Sequence, residues 1–244
     1  MTRARVLRRV RSALHNARRV VRNTLVTHSV QVNEKPTPRW APGAALQTAY
    51  QIASREFAGI ARKGGDIPYL SHLLAVSALV IEHGGTEDQA AAALLHDVLE
   101  DRKVPAKWLT VELIAGGVSR ESAEFITNVV EGTSDGEPGG ERSSATWRER
   151  KAGYHARLAA KPATDPSLLV SLADKVHNIE STLVQVRAGE TLKEIYRHFN
   201  AGHTDQQWNY EELHKCFAAH AAANPQLRKL VTRFGHAVRE VFAQ

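Results

Sequence analysis

The stretch Ala91-Ala-Ala-Leu-Leu-His-Asp-Val-Leu-Glu-Asp101 governs how the rest of the chain is read. An apolar helical run reaches His96-Asp97, and a second acidic pair, Glu100-Asp101, follows three residues later. At 3.6 residues per turn, Glu100 falls one turn beyond His96 and Asp101 one turn beyond Asp97. An imidazole and three carboxylates are thereby expected to project together. On an otherwise apolar helix such charge is costly unless it is paired or coordinates a metal ion. A surface helix end that happens to be acidic would read the same way in isolation, so the remaining chain decides.

Outward from this stretch the pattern is helical almost throughout. Thr86-Glu-Asp supplies an N-cap and first-turn acids that suit the helix dipole. The preceding helix spans Leu70–Glu82 and is stopped by Gly84-Gly85. An earlier helix over residues 44–61 is broken by Gly64-Gly65-Asp66-Ile67-Pro68. Downstream, helices are predicted over 104–115, 119–130, 147–160, 166–187, 191–199, 205–222 and 225–242. Residues 132–146, rich in Gly, Ser and charge, read as a long functional loop. No stretch alternates with period two. The expected class is all-α, a bundle of about ten helices over residues 44–244, preceded over residues 1–43 by a basic extension and a Pro-containing linker.

Composition bounds the function. The hydrophobic and charged fractions, 43% and 24%, are ordinary for a soluble globular protein. The single cysteine, Cys216, excludes an intramolecular disulfide and fits a reducing cytoplasm. No apolar run approaches the roughly 20 residues of a membrane span, and no secretory signal core is evident. Residues 1–35 carry nine of the 32 basic residues and one of the 26 acidic ones, hence +8 there and −2 in the remainder. The basicity therefore belongs to the extension and gives no reason to assign nucleic-acid binding to the body. Val6, Val10, Leu14, Val20 and Leu25 stand at helical spacing opposite arginines. Such a segment suits RNA, an anionic membrane or an acidic protein, and equally a solvated tail.

Two further residues match the opening pair. His72 begins a strongly apolar helix, Leu73-Leu-Ala-Val-Ser-Ala-Leu-Val-Ile81. Asp174 interrupts Leu168-Leu-Val-Ser-Leu-Ala173, a run that should be core, and a buried aspartate needs a partner. His177 and Asn178 share its face at i+3 and i+4. The order His72, His96-Asp97, Asp174 offers two nitrogen and two oxygen ligands from three helices. That set suits manganese, iron or zinc, with positions left for water and a phosphate oxygen.

Over about residues 44–215 the sequence resembles the HD-domain metal-dependent phosphohydrolases. Among these it is most similar to the hydrolase domain of the Rel/Spo family and the small alarmone hydrolases. The resemblance rests on Arg62-Lys63 with Pro68-Tyr69-Leu-Ser-His72, on Ala92-Ala-Leu-Leu-His-Asp-Val-Leu-Glu-Asp101, on Glu131-Gly-Thr, on Glu149-Arg-Lys151, and on Leu172-Ala-Asp-Lys-Val-His-Asn178. It implies manganese-dependent removal of pyrophosphate from the 3′ position of guanosine tetra- or pentaphosphate, (p)ppGpp. His72, His96, Asp97 and Asp174 would hold the metal, and Glu100 and Asp101 would handle the attacking water. Arg62, Lys63, Asn178 and Ser181 would contact the nucleotide, while Tyr69, Trp147, Trp208 and Tyr210 read as packing residues. With about 30 residues beyond the matched region, the chain resembles a hydrolase-only protein.

The sequence departs from that family at the pocket edge. Leu73 stands where relatives have Pro, Phe57 where many have His, and Gly64-Gly65-Asp66-Ile67 alters the spacing after Arg62. Glu180 stands where Arg is frequent, and an acid beside the nucleoside site would repel a polyphosphate. The alternatives are therefore an HD phosphohydrolase acting on NADPH or a (d)NTP, or a regulatory HD protein directed by its basic tail.

Overall fold

A computed structural model describes residues 40–135 and 146–243 of the 244-residue chain. The basic extension, and positions 136–145 of the expected loop, lie outside the described residues. Residues Trp40–Gln244 form one compact unit. Its helices are α1 (Ala44–Glu56), α2 (Leu70–Glu82), α3 (Glu87–Leu95), α4 (Val98–Arg102), α5 (Ala106–Ala115) and α6 (Arg120–Thr133). There follow α7 (Trp147–Ala160), α8 (Ser167–Arg187), α9 (Leu192–Tyr196), α10 (His203–Ala223) and α11 (Arg228–Phe242). Among the described residues the sole β feature is an isolated bridge between Ala61 and Pro68. The class is all-α.

Helix α3 is the axis of the domain. It packs against α1, α2, α6 and α8. Its four consecutive alanines, Ala90–Ala93, are fully buried, as is Leu95. Small side chains let neighbouring helices close in on every side, and a helix apolar all round belongs in a core. Its N-terminus is fixed by a capping box in which Thr86 accepts from the Gln89 amide and Gln89 from the Thr86 amide. The Gln89 side chain also donates to Pro166 O, tying α3 to the start of α8. Glu87 reaches back to accept from the amides of Gly43 and Leu46, so one acid caps the first turn of α1.

Three differences from the expected elements bear on function. The first helix ends at Glu56, and residues 60–69 fold as a small closed loop: Arg62 N–H donates to Ile67 O and Tyr69 N–H to Ile60 O, both at 2.8 Å. The helix over 119–130 instead continues to Thr133, drawing Gly132 into α6. The run through His96-Asp97 is interrupted between α3 and α4. There His96 Nδ1 donates to Ala93 O at 2.8 Å. That carbonyl is the acceptor the Asp97 amide would use in an unbroken α-helix.

Candidate functional site

Three buried elements deliver the four inner side chains. His72 stands in the first turn of α2, His96 and Asp97 at the break after α3, and Asp174 in the middle of the 21-residue α8. His72, His96 and Asp174 are buried and offer donor atoms that all lie within 4.8 Å of one another. His72 Nε2 is 3.2 Å from Asp174 Oδ1 and 3.7 Å from Asp97 Oδ2. His96 Nε2 is 3.0 Å from Asp97 Oδ2 and 3.6 Å from Asp174 Oδ1. All four side chains expected at this centre meet there.

The tautomers sharpen the chemistry. A carbonyl only accepts, so the 2.8 Å contact to Ala93 O puts a proton on His96 Nδ1. In the neutral ring the lone pair is then on Nε2, which is buried and makes no hydrogen bond. A bare nitrogen lone pair facing two carboxylates is repulsive unless a cation lies between them. A divalent metal ion fits this donor set, two imidazole nitrogens and two carboxylate oxygens. Without one, burial works against charging His96, but Asp97 and then Asp174 outweigh it and hold the ring well above the ordinary histidine range. Burial also opposes ionisation of Asp174, yet it is held well below the usual carboxylate range, with the Lys175 ammonium the largest influence in that direction.

Around this centre the site opens into a cleft of about 730 Å³. Glu100 and Asp101, on α4, line it beside Asp97. Burial and then Asp135 raise Glu100, while burial followed by Asp97 and Glu100 pushes Asp101 up to about 6. Arg62, Lys63, Asn178 and Ser181 line the cleft as well. Arg62 Nη2 donates to Asn178 Oδ1 at 3.2 Å, and Asn178 Nδ2 to Asp174 Oδ1 at 2.6 Å. Lys63 sits 5.8 Å above the Phe199 ring. The Ser181 hydroxyl donates to His177 O in the preceding turn.

The family assignment follows from a match across this same region: residues 49–207 fit a family model described as the HD domain. The chain belongs to the HD-domain family. Within it, the HD domain here is 31% identical over 179 residues to a GTP pyrophosphokinase of Streptomyces coelicolor, a match covering 69% of this chain and 19% of that protein. It is 30% identical over 162 residues to the bifunctional (p)ppGpp synthase/hydrolase SpoT of Escherichia coli, covering 62% and 20%. The matched part thus spans about a fifth of the length of these relatives. Among solved structures, a metazoan ortholog of SpoT described as hydrolysing ppGpp shares the fold, with TM-score 0.61, 18% identity, and coverage of 84% of this chain and 99% of that one. A Listeria monocytogenes protein also shares it, with TM-score 0.55, 19% identity, and coverage of 72% and 98%.

Several cleft residues of this HD domain escape a reading of the sequence. Tyr69, expected only to pack, donates its hydroxyl to Asp97 Oδ2 at 2.5 Å. Its ring is stacked on buried Phe57 with centroids 5.1 Å apart, which aims the hydroxyl. Burial and the Asp97 carboxylate raise its pKa far out of range, so it is a permanent donor. Lys175 Nζ binds Asp174 Oδ2 at 2.8 Å and Asp135 Oδ1 at 3.5 Å, and Lys151 also pairs with Asp135. Asp135 lies in the polar stretch read as a loop, where nothing local distinguishes it. The repulsion expected from Glu180 is corrected. Arg233, from α11, donates to Glu180 Oε1 at 2.5 Å and to Oε2 at 2.7 Å, and Glu180 is not among the side chains lining the cleft.

Proposed function

We propose that this HD-domain phosphohydrolase removes pyrophosphate from the 3′ position of (p)ppGpp, giving GDP or GTP, with manganese as its metal. The observation that carries the reading is one cleft lined by His72, His96, Asp97 and Asp174 together with Glu100, Asp101, Arg62 and Lys63, in which the His72, His96 and Asp174 donor atoms lie within 4.8 Å of one another. The names of the SpoT relatives support the same substrate class.

His72, His96, Asp97 and Asp174 would hold the ion, which when bound acidifies water and neutralises phosphoryl oxygens. Glu100 and Asp101 face that region with raised pKa values and accept the proton of the attacking water at a carboxylate oxygen. The water oxygen adds to the phosphorus joined to the ribose 3′ oxygen. That P–O bond breaks, and the 3′ oxygen leaves and takes up a proton. Arg62, anchored on Asn178, presents donors for phosphate or base, and Lys63 adds a positive charge at the cleft edge. Asn178 and Ser181 supply polar contacts for the nucleoside from successive turns of α8.

The test is turnover of ppGpp by the purified full chain with Mn²⁺, followed as GDP and pyrophosphate. Wild type should release both in equal amounts, and Asp97→Ala should release neither. A wild-type protein that binds Mn²⁺ but leaves ppGpp intact would refute this substrate. A panel including NADPH and (d)NTPs would then identify its replacement.

A further inference from the structure

Two consecutive side chains of α8, His177 and Asn178, link Arg62 to two different metal-site residues. Arg62 Nη1 lies 3.0 Å from His177 Nδ1, which in turn lies 2.8 Å from His72 Nδ1. Arg62 Nη2 bonds Asn178, which bonds Asp174. The second link is an ordinary chain of donors and acceptors. In the first, two donors converge on one nitrogen.

A guanidinium has no acceptor, so His177 Nδ1 must accept from Arg62 and carries no proton. In the 2.8 Å contact between the two Nδ1 atoms, His72 is then the donor. This fixes His72 as the Nδ1–H tautomer and leaves the lone pair on Nε2, the atom that faces Asp174 and Asp97. The two histidines of the centre thus reach the same state by different means. His96 is held by the backbone carbonyl of Ala93, which is part of the fold. His72 is held by a side chain that also grips an arginine of the cleft wall. The ring of His177 lies 4.9 Å from that of His72, centroid to centroid, and itself lines the cleft.

We propose that His177 is a positioning residue that orients His72 for the metal and anchors Arg62 through the same nitrogen, so that occupancy of the metal centre and of the Arg62 subsite are coupled. The coupling to substrate rests on the function proposed above, whereas the orientation of His72 does not. A metal-ligating histidine depends on the partner of its second nitrogen for ring orientation, and loss of such a partner costs about 10–100-fold in metal affinity. Coupling is also reciprocal: an interaction by which Arg62 supports His177 must appear as a metal effect when Arg62 is removed.

The experiment is calorimetric titration of Mn²⁺ into the full chain, as wild type, His177→Phe, His177→Gln and Arg62→Met, with thermal melts showing that each is folded. His177→Phe keeps a flat ring and removes the acceptor, and should weaken Mn²⁺ binding about 10–100-fold. His177→Gln restores a carbonyl acceptor and should recover most of that loss. Arg62→Met, which touches no metal ligand, should weaken Mn²⁺ binding by a smaller factor. Wild-type affinity in His177→Phe, or equal affinity in the Phe and Gln variants, would overturn the assignment. If the Phe/Gln contrast appears but wild type leaves ppGpp intact, the substrate reading fails and the role of His177 stands. If ppGpp is hydrolysed but Mn²⁺ affinity is the same in all four proteins, the reverse holds.

Discussion

The Tyr69 hydroxyl is hydrogen-bonded to Asp97 Oδ2 at 2.5 Å, the same oxygen that lies 3.0 Å from His96 Nε2. Three elements therefore meet near one carboxylate oxygen: the loop before α2, the break after α3, and α2 itself, whose His72 Nε2 lies 3.7 Å away. The stack on Phe57 keeps the phenol from turning away. Tyr69→Phe removes one oxygen and leaves the stack intact. It should reduce Mn²⁺ affinity or kcat about 10-fold or more, the effect usual for a partner of a metal ligand, while the melting temperature of the metal-free protein stays within about 2–4 °C of wild type. Wild-type values for both metal affinity and kcat would show that Asp97 needs no orientation from this hydroxyl.

Glu180 is an acid near a cleft proposed to take an anionic nucleotide, and it is neutralised from outside. Arg233 holds both of its oxygens, and the pair is partly exposed. Glu180→Gln should accordingly change KM for an anionic nucleotide by less than about twofold, and stability by less than about 1 kcal/mol. Steady-state kinetics at low and physiological salt would reveal any repulsion, since an unpaired charge at the cleft would act more strongly at low ionic strength. A large fall in KM on substitution would mean that the charge does reach the substrate.

His155 is buried on α7 and meets Asn209 Oδ1 at 2.9 Å through Nε2. Burial lowers its pKa, against the opposing effect of the Asn209 contact. A histidine depressed in the folded state takes up its proton more readily when unfolded. The fold is then unpenalised above the unfolded pKa of about 6.5 and loses stability as pH falls below it. Thermal melts at fixed metal concentration should show wild type losing more between pH 7.5 and 5.5 than His155→Gln, which keeps a donor for Asn209 but does not titrate. Equal slopes in the two proteins would rule His155 out as a contributor.

Gly132 allows α6 to approach α8. A Cβ at that position would stand 2.9 Å from both Cβ and Oγ of Ser167. Alanine gains up to about 1 kcal/mol of helix propensity over glycine, but the clash is with an atom fixed to the facing backbone, and overpacking of this kind costs about 1–3 kcal/mol. Gly132→Ala should therefore lower the melting temperature by several degrees. A rise would show that the two helices separate freely.

How much of this was readable in advance depends on the residue. His72, His96, Asp97 and Asp174 stand out because ionisable groups inside apolar helical runs violate the pattern around them. Tyr69 does not, because an aromatic at a helix start fits ordinary packing, and its hydroxyl has meaning only once Asp97 is placed across from it. Glu180 misleads for the complementary reason: its partner is 53 residues away on another helix, and local sequence carries no record of that pairing. The interruption at His96-Asp97 is equally hidden, since the apolar period continues through it and only the side-chain bond to Ala93 O reveals the competition. His177 was visible as a neighbour of Asp174, but its role needs the distances to Arg62 and His72.

The axial burial of α3 has a consequence for how such a domain diversifies. His96 and Asp97 extend from four alanines with no exposed surface, so almost any enlargement there disturbs four neighbouring helices at once. Arg62 and Lys63, by contrast, sit on a short closed loop whose glycines and Ile67 edge the cleft. Variation can accumulate on that loop at little cost to folding, whereas His96 and Asp97 are tied to the survival of the whole domain. On the proposed function, descendants of such a scaffold would exchange one phosphorylated substrate for another long before they exchanged one reaction for another.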